Sequence, residues 1–179
     1  MAPPTMLLSS CARAATAAET RYRIDKPIAP ARAARIFALD DAAAAVTRRV
    51  ARRQWAHAKF YVCDAGGGSG GGLNGHEGAA SDDVSLRDID GISPAAAGLR
   101  GELAGADVAV VIATQDGGRR SAAAIGRTCS AAGIMTAGIV LGDGGPADDA
   151  VVALRPHARV LLLSADENDV FELLTALRV

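Results

Sequence analysis

The chain has 179 residues, half of them apolar and only 3% aromatic, with a formal net charge of −1 at pH 7. That length suits one domain with a real core, and the near-neutral balance argues against bulk electrostatic binding of nucleic acid or a membrane surface. No apolar run approaches the ~20 residues of a membrane-spanning helix.

Residues 1–30, rich in Ala, Pro and Arg, read as an irregular arm ahead of a single domain over 31–179. Leu8 to Cys11 loosely resembles a lipoprotein cleavage site, but no Lys or Arg precedes it and the apolar stretch is short. Arg35–Leu39 is a short strand. Asp40 and Asp41 then precede a helix predicted from Asp41 to Trp55, since Asp is a good N-cap and carboxylates suit the positive helix end. The Arg48–Arg49 and Arg52–Arg53 run reads as the solvated face of that helix. Lys59–Cys63 is a second strand, ending at Asp64. Residues 65–83 hold a glycine-rich run with nothing to bury, so a flexible loop is predicted. A phosphate cradle needs a helix directly after it, and here the next helix, Pro94–Leu103, begins too late.

Val108–Ala113 is the third strand, apolar throughout and therefore central. A glycine turn leads into a helix over Arg119–Ala132, which Gly133 ends. Met135–Leu141 is the fourth strand and is followed by a turn. A helix over Asp148–Arg155, a strand over Arg159–Leu163 and an amphipathic helix over Asn168–Leu177 complete the chain. Alternating strands and helices predict a three-layer, doubly wound α/β fold with a parallel, Rossmann-like sheet. Ligands in such folds sit beyond the carboxyl ends of the strands.

Chemistry-bearing groups are sparse. Cys11, Cys63 and Cys129 are widely spaced and odd in number, which fits a reducing cytoplasm rather than a disulfide framework. Cys63 and Cys129 read as small core residues. His57, His76 and His157 form no Ser/His/Asp or HExxH pattern, and the His76–Glu77 pair alone is weak evidence for a metal. Asp64, Asp116 and Asp143 all fall at strand carboxyl ends. They are either a converging metal site or ordinary turn and cap residues, and the latter reading is preferred. No resident metal is assigned.

The order of pieces resembles the nucleotide-binding half of the tubulin/FtsZ superfamily over Arg35 to Leu174. The stretch ADVAVVIA is similar to the strand before that family's signature loop, and GIMTAGIV to the strand after the following helix. AVVALRPHARVLLLSADENDVFELL and AAAAVTRRVARRQWAHAKFYVCDA are similar to its later helix–strand–helix stretch and to its first helix and second strand. The resemblance implies an FtsZ-like topology and a GTP crevice, from which the chain departs at both phosphate loops. Asp40 and Asp41 stand where the first loop has glycines, and two like charges 4 Å apart repel by about 1 kcal/mol even in water. The signature glycine loop is shortened to Gln115-Asp116-Gly117-Gly118-Arg119-Arg120-Ser121. No counterpart of the family's long central helix, acidic loop and second domain follows. GTP binding as in the family is thus disfavoured unless a cation bridges the Asp40 and Asp41 charges, and GTPase activity and polymerisation are not expected.

Two main readings of function remain open, beside a third in which the chain is a conventional nucleotide-binding protein. One is a degenerate FtsZ-like domain that binds a protein partner or itself. The other is a small enzyme, or enzyme subunit, that holds a phosphorylated or other anionic small molecule. Thr114, Gly117, Gly118, Arg119, Arg120 and Ser121 would form that anion site, with Asp40, Asp41, Asp64, Asp116 and Asp143 as the acids of the crevice. The turn from Ala113 to Gly117 is also similar to the S-x-S-G turn of sugar-isomerase domains.

Overall fold

Every position of Val108–Ala113 (β4) is buried in the computed structural model, as a strand flanked on both sides by other strands and covered on both faces must be. The structure describes residues 30–64, 84–90, 95, 97–114, 118–142 and 148–179. Residues 1–29, 65–83, 91–94, 96, 115–117 and 143–147, and with them the predicted arm, glycine-rich loop and turns, Cys11, His76 and the predicted helix start at Pro94, lie outside the described residues. Ala31–Val179 forms one compact unit.

Its elements are β1 (Ala34–Ala38), α1 (Asp41–Ala51), β2 (Ala58–Cys63), β3 (Leu86–Asp88), α2 (Gly98–Leu103), β4, α3 (Arg119–Ala132), β5 (Met135–Leu141), α4 (Asp148–Leu154), β6 (Ala158–Ala165) and α5 (Glu167–Ala176). The strands form one six-stranded sheet in the order β3-β2-β1-β4-β5-β6. This is a Rossmann-like α/β arrangement, with the strand order of dinucleotide-binding sheets. β1 lies parallel between β2 and β4, with Ile36 opposite Phe60 on one side and Val110 on the other. Side chains alternate between two clusters. Ile36, Val110 and Ile139 pack with Val50 of α1 and Leu174 of α5. Phe37, Val111 and Tyr61 pack with Leu99 of α2, Ile125 of α3 and Leu154 of α4.

The sheet is not parallel throughout, which corrects the sequence expectation. β3 pairs antiparallel with β2, Tyr61 opposite Asp88 and Cys63 opposite Leu86. A three-residue strand with only Leu86 buried is too short to show a period of two. The first helix also ends earlier than predicted. The N–H groups of Arg52 and Arg53 bond back three residues, to the carbonyls of Arg49 and Val50, in a tightened last turn. Trp55 lies beyond that turn, and its indole Nε1 donates to the Val50 carbonyl at 3.0 Å. α3 ends as expected, with Gly133 at φ 70° and the Ile134 N–H bonded to the Cys129 carbonyl at 2.9 Å.

Candidate functional site

In this strand order the topological switch point lies between β1 and β4, where the chain leaves adjacent strands in opposite directions. Two helices start there, α1 after β1 and α3 after β4. Asp40 is the N-cap of α1, and its carboxylate accepts from the Ala43 N–H at 2.8 Å. The same carboxylate accepts from the Thr114 N–H at 2.7 Å and from the Thr114 hydroxyl at 2.5 Å. One side chain thus ties the end of β4 to the start of α1. Asp41 is exposed in the first turn of α1.

Gly118 brings α3 up against the same corner. A Cβ on it would stand 2.5 Å from the Cβ of Leu39, so only glycine fits without moving β1. No side chain caps α3, and its first turn holds no acid. Arg119 and Arg120 are exposed there and Ser121 is half-buried. Arg119 pairs with Asp149 of α4 at 3.2 Å. Both partners are more than half exposed, so the pair adds little stability. Asp64 ends β2 in an ion pair with Arg87 of β3. Thus Asp40, Thr114 and Gly118 meet at the crevice, whereas Asp64 faces the β3 edge. Gly117, Asp116 and Asp143 lie outside the described residues. Among the described residues no group of three or more His, Cys, Asp or Glu is placed to hold a metal, and no helix is long and apolar enough to cross a membrane.

The cysteines near these elements are core residues. Cys63 and Cys129 are buried. Burial, with the Asp64 charge adding to it, pushes the Cys63 thiol up to about 12, and burial pushes Cys129 up to about 11. Neither is a ready nucleophile. Between the ordinary thiol value and 12, the unfolded chain releases the Cys63 proton while the folded chain keeps it. Stability therefore falls as pH rises. Cys63 alone is expected to remove on the order of 1 kcal/mol by pH 10. Urea midpoints from pH 8 to pH 10 check this, because Cys63→Ala should show a shallower decline than the natural chain. His57 is exposed. The ring of His157 lies against Gly126, and its Nδ1 is 2.9 Å from the Ser130 hydroxyl.

A second feature was not read from the sequence. A cavity of about 760 Å³ opens at the amino-terminal half of β2, away from the crevice. Arg48, Arg52 and Arg53 from the end of α1 line one side, with Trp55. Tyr61 and Lys59 of β2 meet Glu102 of α2 on the other. The Tyr61 hydroxyl donates to Glu102, and Lys59 Nζ lies 3.6 Å from it. Burial first, and the Glu102 hydrogen bond second, push the Tyr61 hydroxyl above its ordinary value. Arg35, buried in β1, donates to the Glu102 backbone carbonyl at 2.7 Å and so anchors the end of α2. The arginine run with a lone Trp55 was the sequence signal for this place, but it reads equally as a solvated helix face.

No protein-family model, no curated protein and no solved structure matches the chain.

Proposed function

We propose that the chain is a three-layer, FtsZ-like α/β domain whose switch-point crevice no longer serves GTP, and that it acts as a protein-binding or structural subunit, with a partner or with itself. The observation that carries this reading is the Asp40 carboxylate, which takes up the Thr114 amide and hydroxyl and the Ala43 amide. Amides at a helix start beside the switch point are the donors a phosphate would use. Here an anion built into the chain already holds them. A phosphate brought to the same place would meet that fixed negative charge. The Leu39–Gly118 contact supports the same reading, because it packs the start of α3 directly against the residue that follows β1.

Isothermal titration with GTP and with GDP, each with Mg²⁺, tests it. No saturable heat is expected up to about 1 mM nucleotide, and a micromolar Kd would overturn the reading.

The alternative, a small anionic ligand held at Thr114, Gly118, Arg119, Arg120 and Ser121, is favoured by one observation: α3 has neither a side-chain cap nor an acid in its first turn. Saturable binding of inorganic phosphate, lost in Ser121→Ala, would favour this second reading over the first.

A further inference from the structure

The two edges of the sheet are built differently. One edge strand, β3, has three residues, and two of them, Arg87 and Asp88, are charged and exposed. Short length and charge are how natural sheets keep an edge from pairing with another chain. The other edge strand, β6, has eight residues, ARVLLLSA, with Arg159 its only charge. That is longer than an ordinary strand. β6 pairs with β5 on one side. On its outer side no further strand of the sheet meets it, and among the described residues no backbone group does.

Aliphatic surface stays in water along this edge. Val160 and Leu162 pack partly against one core cluster and Leu161 partly against the other, so both faces of the strand are only half covered. Leu163 is 51% exposed, and among the described residues only Val152 of α4 is a large apolar side chain as open as this. The register with β5 shifts between Ala158 and Val160 and again between Leu162 and Ala165. Bulges bend a strand where they fall, and Val160–Leu162 lies between them as a regular run. Charge is divided along the strand. Arg155 and Arg159, both exposed, stand at its start, and exposed Asp166 with Glu167 follows its end.

We infer that β6 is a self-association edge, at which two copies of the chain join antiparallel across a two-fold axis at Leu161 to make one continuous sheet. This rests on the self-binding form of the protein-binding reading above and names its surface. Val160 of each copy then lies opposite Leu162 of the other, and Leu161 lies opposite itself. Arg159 falls level with Leu163 of the other copy, whose exposed side chain its aliphatic stem covers. Antiparallel order sets the basic start of each strand beside the acidic end of the other. Parallel order would set like charges together, which opposes pairing. The charge pattern thus fits a second copy of this chain in one direction only. Main-chain hydrogen bonds and the burial of half-exposed aliphatic side chains supply the affinity. An edge used against itself closes after two copies.

Sedimentation equilibrium from about 1 µM to about 200 µM is expected to show the 18.1 kDa monomer passing to a dimer, with a Kd on the order of 10 µM. Leu163→Lys and Arg159→Glu are each expected to weaken the dimer at least about tenfold, with the melting temperature of the dilute monomer unchanged. Where Leu163→Lys fails to fold, Leu163→Thr, which suits a strand, gives the same readout. Arg52→Glu, a charge reversal on the turn after α1, is expected to leave dimerisation as it is. Residue-resolved hydrogen exchange is expected to slow at outward-facing amides within Arg159–Leu163 in the dimer, and not at β3.

A chain that stays monomeric across the range would overturn the inference, as would a dimer indifferent to both Leu163 substitutions. Growth beyond a dimer, protection at β3 in place of β6, or equal losses in Arg52→Glu and Arg159→Glu would do the same. Failure here is separable from failure of the protein-binding reading. A micromolar GTP complex defeats that reading whatever the dimer does. A complex with another protein, formed by a chain that stays monomeric on its own, defeats this surface alone.

Discussion

Replacing Asp40 by alanine is expected to lower stability by about 3 kcal/mol. Loss of an N-cap costs about 0.5–2 kcal/mol. Loss of charge-assisted bonds to the Thr114 amide and hydroxyl adds a comparable amount, because these donors sit at a packed corner. For a domain of this size the melting temperature should fall by roughly 6–12 °C. Asp40→Asn keeps an acceptor and a good cap, so it should lose only about a third as much. Thermal melts of the two variants side by side check the ratio. If Asp40→Ala melts like the natural chain, the carboxylate is not what ties β4 to α1. A second readout bears on function. Freed of the built-in anion, Asp40→Ala should be stabilised by added inorganic phosphate, while the natural chain should not.

Phe37→Ala is expected to cost about 3–5 kcal/mol, enough to leave little of the ordinary stability of a small domain. Phe37 is fully buried in the middle of β1 and stacks on Tyr61 at 5.4 Å between ring centroids. It belongs to the cluster that includes Leu99, Ile125 and Leu154, and a close-packed core relaxes only partly into the space that a truncated ring leaves. Denaturant unfolding monitored by circular dichroism gives the value. A loss under about 1 kcal/mol would mean that the site relaxes far more than a close-packed core does. Leu in place of Phe37 should recover more than half of the loss, since it fills most of the volume.

Elements whose signal is local were legible in advance. Val108–Ala113 is apolar at every position, and it is the strand buried on both faces beside β1 and β5. Asp40 and Gly133 were read as the start and stop of their helices, and they are, because caps act on backbone groups within one turn. Elements defined by distant partners were not legible. β3 exists because three residues, two of them exposed, meet the edge of β2. The sequence predicts the first helix as far as Trp55, yet its indole bonds back to Val50 from outside the helix.

The candidate site divides in the same way. That Asp40 and Asp41 stand at the start of the first helix was plain from residue order. That Asp40 is joined to Thr114, 74 residues later, was not. The glycine pair before α3 was visible, whereas the reason Gly118 must be glycine is a contact with Leu39, the residue after β1. The cavity at β2 brings together residues from α1, β2, β3 and α2, and no single stretch contains its pattern.

By itself the sequence determined the alternation of strands and helices, their caps and the buried strands, since hydrophobic period and cap chemistry are written within a few residues. Tertiary structure alone decided that the sheet ends in an antiparallel strand, that Asp40 closes the corner between β1 and β4, and that three arginines at the end of α1 line a cavity beside β2. The physical reason is that these depend on which edges and helix ends meet in the folded sheet, and sequence-local propensity carries no information about that.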